Sequence, residues 1–319
     1  MTGRTVRLLS DEIEWHYGTP GENGNPMSLV VAANFTDGVV LGTDTSVNLP
    51  GPPSDYDGTL PPGISQLGSI LKVFEGRETL FPLGQRPIGI AIYGTPRIGN
   101  RSIESYLHEF VASDPNGIIS GETTVQTIAE GLREFFAQLH ESIVLPFSEE
   151  FRKRPYDQIP EQERPGFGFV LGGYSARSYS GEIWQVYVPT HKEPIQLRKQ
   201  GDYSLNWIGS IDQINRYLKG YSDDMLAELR QYILKTHPTV FSPEEQNEIN
   251  AIVAKSEYVM PTSVMPLGVG VEFVRFLIGL SINHHRFAMG PAFVAGGPKI
   301  GIASYASKHF EILGDNAKQ

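Results

Sequence analysis

The sequence predicts an α+β fold arranged as a four-layer αββα sandwich, on three observations. Strand-like runs arrive in hairpins rather than singly between helices. Blocks alternate as strands, helices, strands, helices, strands. Each helical run carries one apolar stripe, as a layer covering one face of a sheet does. With 319 residues and 40% hydrophobic content, the chain has enough apolar sequence for one large core.

Residues 1–27 end in the Gly/Asn/Pro-rich "GTPGENGNPM" and read as an arm on a flexible link, with residues 28–319 as a single domain. Ser28 heads the apolar run Leu29 to Ala33. The Asp37-Gly38 pair suits a two-residue hairpin turn, and Val39 to Gly42 returns toward Asp44. A long Pro/Gly loop precedes strands at Ile70 to Phe74 and Ile88 to Gly94. The first helix places Ile103, Leu107, Phe110 and Val111 on one face. The second opens with Thr123 and Gln126 in capping-box spacing and keeps a period near 3.6 from Val125 through Phe136 to Ile143.

A polar stretch, residues 148–165, leads to the strands "FGFVLGGYS" and "EIWQVYVP", then "NWIGSID". Amphipathic helices follow from about Ser222 and from Ser242, the latter with Pro243 at its first position. An apolar helix through Val274 and Leu280 precedes the closing strands "PKIGIASYA" and "HFEIL". Trp184, Tyr187 and Trp207 fall in strand contexts and read as core.

The formal net charge of −10 excludes a nucleic-acid or anionic-membrane surface, since Arg152-Lys153-Arg154 is the only dense basic spot. The absence of cysteine excludes disulfides and thiolate metal sites and fits a cytoplasmic location. "MTGRTVRLLSDEIEWHYGTP" lacks the apolar core of a signal peptide. "VGVEFVRFLIGLSI", from Val269, is short for a membrane span and carries Glu272 and Arg275, so it reads as a buried helix. His284 and His285 are adjacent, point about 100° apart on a helix, and suit a helix-end or core role better than a shared metal.

Six segments in order resemble the proteasome β-subunit family of N-terminal-nucleophile hydrolases: Ser28, "TDGVVLGTD" (Thr36 to Asp44), "KVF" (Lys72 to Phe74), "IAIYG" (Ile90 to Gly94), "IGS" (Ile208 to Ser210) and "AGGPKIGIASY" (Ala295 to Tyr305). The similarity spans about residues 28–306, with extra material at 47–69, 148–165 and 222–257. It implies an αββα fold, no cofactor, and assembly as a homo-oligomer or with related subunits. It also implies a site in which the Ser28 hydroxyl attacks a peptide carbonyl, the free α-amine takes its proton, Lys72 lowers the hydroxyl pKa and Asp44 orients Lys72. Ala91 falls at the position of the oxyanion N–H and Ser210 at the Ser of the Gly-Ser turn.

Several positions depart from the pattern. In this chain 27 residues precede Ser28, whose nitrogen is then an amide, and the residue before it is Met27 where self-processing members carry Gly. From Asn283 to Lys299 the family's Asp and Ser are replaced, with His284, His285 or Arg286 in their place. Thr2 does not run into the hairpin at the family spacing. Two functional classes follow. One is a non-catalytic subunit-like protein serving assembly, binding or regulation, which the departures favour. The other is a peptidase or amidohydrolase that removes residues 1–27 and uses Ser28 on a peptide substrate. An unrelated binding sandwich is the third alternative.

Overall fold

The computed structural model describes residues 28–50, 70–95, 97–114, 117–119, 122–159, 164–198, 203–236, 251–253, 255–258, 260–288, 294–307 and 309–314. The predicted arm at 1–27, most of the Pro/Gly loop and the predicted helix start at Ser242 lie outside the described residues.

Strands β1 (Leu29–Phe35) and β2 (Gly38–Thr43) form the expected hairpin, but Phe35 pairs with Gly38, so the two turn residues are Thr36 and Asp37. Neither has a positive φ. Gly38 serves packing instead: a Cβ there would lie 2.7 Å from the Ala303 carbonyl oxygen. The Asp-Gly pair therefore marks a close approach of strands, not the turn centre.

Further along the chain come β3 (Val47–Pro50) and β4 (Ile70–Phe74), which pair with each other as a separate ribbon, then β5 (Leu80–Pro82), β6 (Ile88–Gly94) and the short pair β7 (Arg97–Ile98) and β8 (Arg101–Ser102). Helices α1 (Ile103–Ser113) and α2 (Val125–Leu139) follow. A π-helical turn at His140–Val144 continues into α3 (Leu145–Arg152), so the helix reaches further than the polar composition after residue 148 suggests. Next are β9 (Phe167–Tyr174), β10 (Gly181–Val188), β11 (Ile195–Arg198) and β12 (Ser204–Gly209). Helices α4 (Asp212–Leu218), α5 (Asp223–Thr236) and α6 (Leu267–Phe287) precede β13 (Lys299–Ser304) and β14 (Glu311–Leu313).

Among the described residues two five-stranded antiparallel sheets result, ordered β12-β1-β2-β13-β14 and β11-β10-β9-β6-β5. Among the described residues, one apolar core joins the first sheet to α4 and α6, another joins the second sheet to α1 and α2, and a third lies between the two sheets. Every residue of β1 is buried because its two faces enter different cores: Leu29, Val31, Ala33 and Phe35 face α4 and α6, while Val30 and Ala32 face the second sheet. On the far side, Ile128, Leu132 and Phe136 of α2 pack on Phe167 and Phe169 of β9. Helix α6 is long and apolar enough to cross a membrane by length and composition, yet it seats Val274, Leu277 and Ile278 on the first sheet.

Candidate active site

Ser28 stands just ahead of β1, and its carbonyl oxygen is the anchor of the neighbouring turn. The Ser210 N–H donates to it at 3.1 Å. Gly209 reaches that turn with φ +100°, and a Cβ on it would lie 2.0 Å from the same carbonyl oxygen, so only glycine lets β12 close on Ser28. Ser210 Oγ in turn lies 3.2 Å from Nε2 of His285 on the last turn of α6. Burial first, and His284 second, hold the His285 pKa below its ordinary value, against the opposing pull of Asp212. A neutral imidazole therefore faces the Ser210 hydroxyl at neutral pH.

Asp44 follows β2 and ties three chain segments together. Its Oδ1 accepts from the Leu29 N–H at 2.8 Å, while Oδ2 accepts from the Ser46 N–H at 3.3 Å, from the Ala295 N–H at 3.4 Å, and from the Ser46 hydroxyl. The Asp44 carbonyl oxygen accepts from Thr79 Oγ1 at 2.7 Å. Because that proton is spent, the 2.6 Å contact between Thr43 and Thr79 hydroxyls has Thr43 as donor. Burial pushes the Asp44 carboxyl up to about 6, with the hydrogen bonds from Ser46, Leu29 and Ala295 pulling the other way.

Arg77 supplies positive charge to this region. Burial lowers its guanidinium pKa, while the negative charges of Glu104 and Asp44 raise it. Its backbone N–H donates to the Thr45 carbonyl at 3.0 Å.

Of the residues predicted for the site, the fold brings Ser28, Asp44 and Ser210 together. Lys72 lies on β4, opposite Leu49 in the separate ribbon, and its side chain lies outside the described residues. Ala91 sits mid-strand in β6, opposite Leu80 on one side and Val170 on the other. The next residue, Ile92, donates its N–H to the carbonyl of Thr79, just ahead of β5. Alternation then turns the Ala91 N–H toward the β9 side of the strand. Of the three basic residues His284, His285 and Arg286 at the end of α6, His285 is shown reaching Ser210. Met27 and Thr2 lie outside the described residues.

Ser46, Thr79 and Arg77 were not singled out in the sequence. Ser46 had a legible signal: an Asp followed two residues later by Ser is the spacing of a local side-chain to backbone turn. Thr79 heads "TLFPL", a short strand that becomes meaningful only once β5 is known to flank β6. Nothing in the sequence around Arg77 separates it from an exposed loop arginine.

The arrangement can hold β1, β2 and the approach to β13 in fixed register, through a buried carboxylate saturated by N–H and hydroxyl donors. For acyl chemistry a carbonyl would have to reach Ser28, which is 1% exposed, and a base would have to stand beside it.

No family model matches the chain, and no curated protein matches it. Among solved structures it is similar to an Anbu mutant from Hyphomicrobium sp. strain MC1, at 10% identity and a TM-score of 0.49, over 91% of this chain and 89% of that one.

Proposed function

We propose that this chain is a proteasome-subunit-like protein of the N-terminal-nucleophile hydrolase fold, an αββα sandwich, in which the Ser28 site is a structural hub and the role is non-catalytic: assembly, binding or regulation. The observation that carries this reading is the wiring of Asp44. In the hydrolytic role implied by the resemblance, its carboxylate must orient a cation beside the nucleophile. Here both oxygens accept from Leu29, Ser46 and Ala295, and Ser28 beside them is 1% exposed. The ionised carboxylate is thus balanced by fixed donors that hold strands, one of them, Leu29, directly following Ser28. Self-association, as a homo-oligomer or with related subunits, belongs to the same reading.

One observation favours the second reading, a self-processing peptidase or amidohydrolase. Arg77 places a guanidinium within the field of Asp44 and offers the positive charge that such chemistry asks of Lys72. Intact mass and N-terminal sequencing of the purified protein and of Ser28→Ala separate the two. The structural reading expects both proteins to start at the same residue, ahead of Ser28, and to melt within a few degrees of each other. A parent beginning Ser-Leu-Val-Val beside a longer Ser28→Ala chain establishes the hydrolase instead.

A further inference from the structure

At the opposite end of the sheets from Ser28, four chain segments converge on a second concavity. The separation is the length of β1, seven residues at about 3.3 Å each, or about 23 Å. The segments are the β5–β6 turn at Arg86, Glu122 ahead of α2, the β9–β10 hairpin from Tyr174 to Tyr179, and Tyr305 just after β13. The cavity they enclose is about 530 Å³, within the roughly 300–1,000 Å³ usual for small-molecule clefts.

Its lining has three properties that point to one class of ligand. The first is an aromatic platform. Tyr179 and Tyr305 lie with centroids 4.9 Å apart and planes tilted by 37°, Tyr305 meets Tyr174 edge-on at 6.3 Å, and the outer two rings stay 76% and 56% exposed. Ring faces left in water at the mouth of a cleft gain from a planar apolar partner.

The second is a pair of guanidiniums against one carboxylate. Arg86 is locked, donating through Nη2 to the Thr123 carbonyl at 2.6 Å and through Nη1 to the Ile119 carbonyl and Thr123 hydroxyl, each at 3.4 Å. Arg177 meets Glu122 at 2.7 Å in an exposed pair, which water screens and an incoming anion can exchange. Two arginines and one glutamate leave a single positive charge in the lining of a chain whose net charge is −10.

The third is rigidity. Arg177 takes φ +62°, a conformation a side-chain-bearing residue adopts only when its surroundings hold it there. Behind it Ser175 donates to the buried Glu182 carboxylate and accepts from the Val125 N–H at 2.9 Å, pinning the hairpin to α2.

From these features we infer that the Tyr174–Tyr179–Tyr305 cleft binds a small molecule carrying a planar aromatic ring and a single carboxylate, the ring against Tyr179 and Tyr305 and the carboxylate on Arg177, within the field of the fixed Arg86 charge. A monoanion fits the single excess charge, where a phosphate dianion would leave one charge uncompensated. The site is independent of the Ser28 reading and stands whichever of the two functions holds.

N-acetylphenylalanine titrated into the full-length protein, followed by ligand-observed NMR, is expected to saturate with Kd below about 1 mM. Its neutral carboxamide is expected to bind at least fivefold more weakly. Tyr179→Ala and Arg177→Gln, both at exposed positions, should each weaken the carboxylate by about fivefold to tenfold. Failure to saturate at several millimolar, equal binding of acid and amide, retention of full affinity in Tyr179→Ala, or preference for inorganic phosphate over the carboxylate would each overturn the assignment. The acid-amide comparison uses the unaltered protein, so it decides even where a substitution perturbs folding.

Discussion

Asp44 shows how one buried carboxyl makes the stability of a strand hub depend on pH. Its pKa stands near 6 in the fold against 3.8 when unfolded. Between those values the folded state holds the proton and the unfolded state does not, so the contribution is fully present below about 4. It is lost as pH rises through about 6 and stays flat above. The shift corresponds to about 3 kcal/mol. Urea melts of the parent at pH 4, 5 and 7 should reveal this slope, and Asp44→Asn, which cannot ionise, should flatten it. An unchanged slope in that variant would show that Asp44 does not titrate there. Gly209 gives a second single-residue case. Gly209→Ala combines a positive φ with a Cβ pressed on the Ser28 carbonyl, so a loss of about 1–3 kcal/mol is expected in the same melts.

Helix α2 carries the argument at the scale of an element. Its stripe was legible as Val125, Ile128, Ala129, Leu132 and Phe136, all buried. The cap was not: Thr124, one residue beyond the expected Thr123, accepts from the Thr127 N–H at 3.1 Å. Thr123 is engaged elsewhere, donating to the Ile118 carbonyl and accepting from Arg86, while Gln126 donates to Glu130. Two adjacent threonines are equivalent as local caps, and the tertiary contact with Arg86 chooses between them. Thr124→Ala should therefore cost about 1 kcal/mol and Thr123→Ala should not act through the cap. Phe136 sits 4.4 Å from Phe169 and 5.5 Å from Phe167, ring to ring. Phe136→Ala opens a cavity between helix and sheet and should cost about 3–5 kcal/mol in a thermal or urea melt.

For the whole molecule, the outer face of the first helix layer keeps apolar side chains in water. Phe276 and Val269 of α6 are exposed, as is Tyr217 of α4, whose ring lies 5.1 Å from Phe276. Contiguous exposed apolar surface is where copies of a chain associate. Light scattering across micromolar concentrations should give a mass above 35.3 kDa, and Phe276→Glu should move it toward that of one chain. A single-chain mass for the parent throughout would remove self-association from the proposed role.

By itself the sequence determined the opening hairpin, the long central strands and the long amphipathic helices, because periodicity and apolar runs are local, while the short strands β3, β5, β7, β8 and β11 and helix α4 carry too few residues for such a pattern. The hairpin also carries Ser28 and Asp44 to the same strand end, whereas Ser210 joins them in the sequence only through the family resemblance. Tertiary structure decided what those residues touch. Gly38 reads as a turn residue until β13 lies against it. Arg77, Thr79 and Ala295 are 33, 35 and 251 positions from Asp44 and meet it only after both sheets have formed. The charge state of Asp44 follows from that meeting: burial is a property of the assembled sheets, and no local pattern in "TDTS" encodes it.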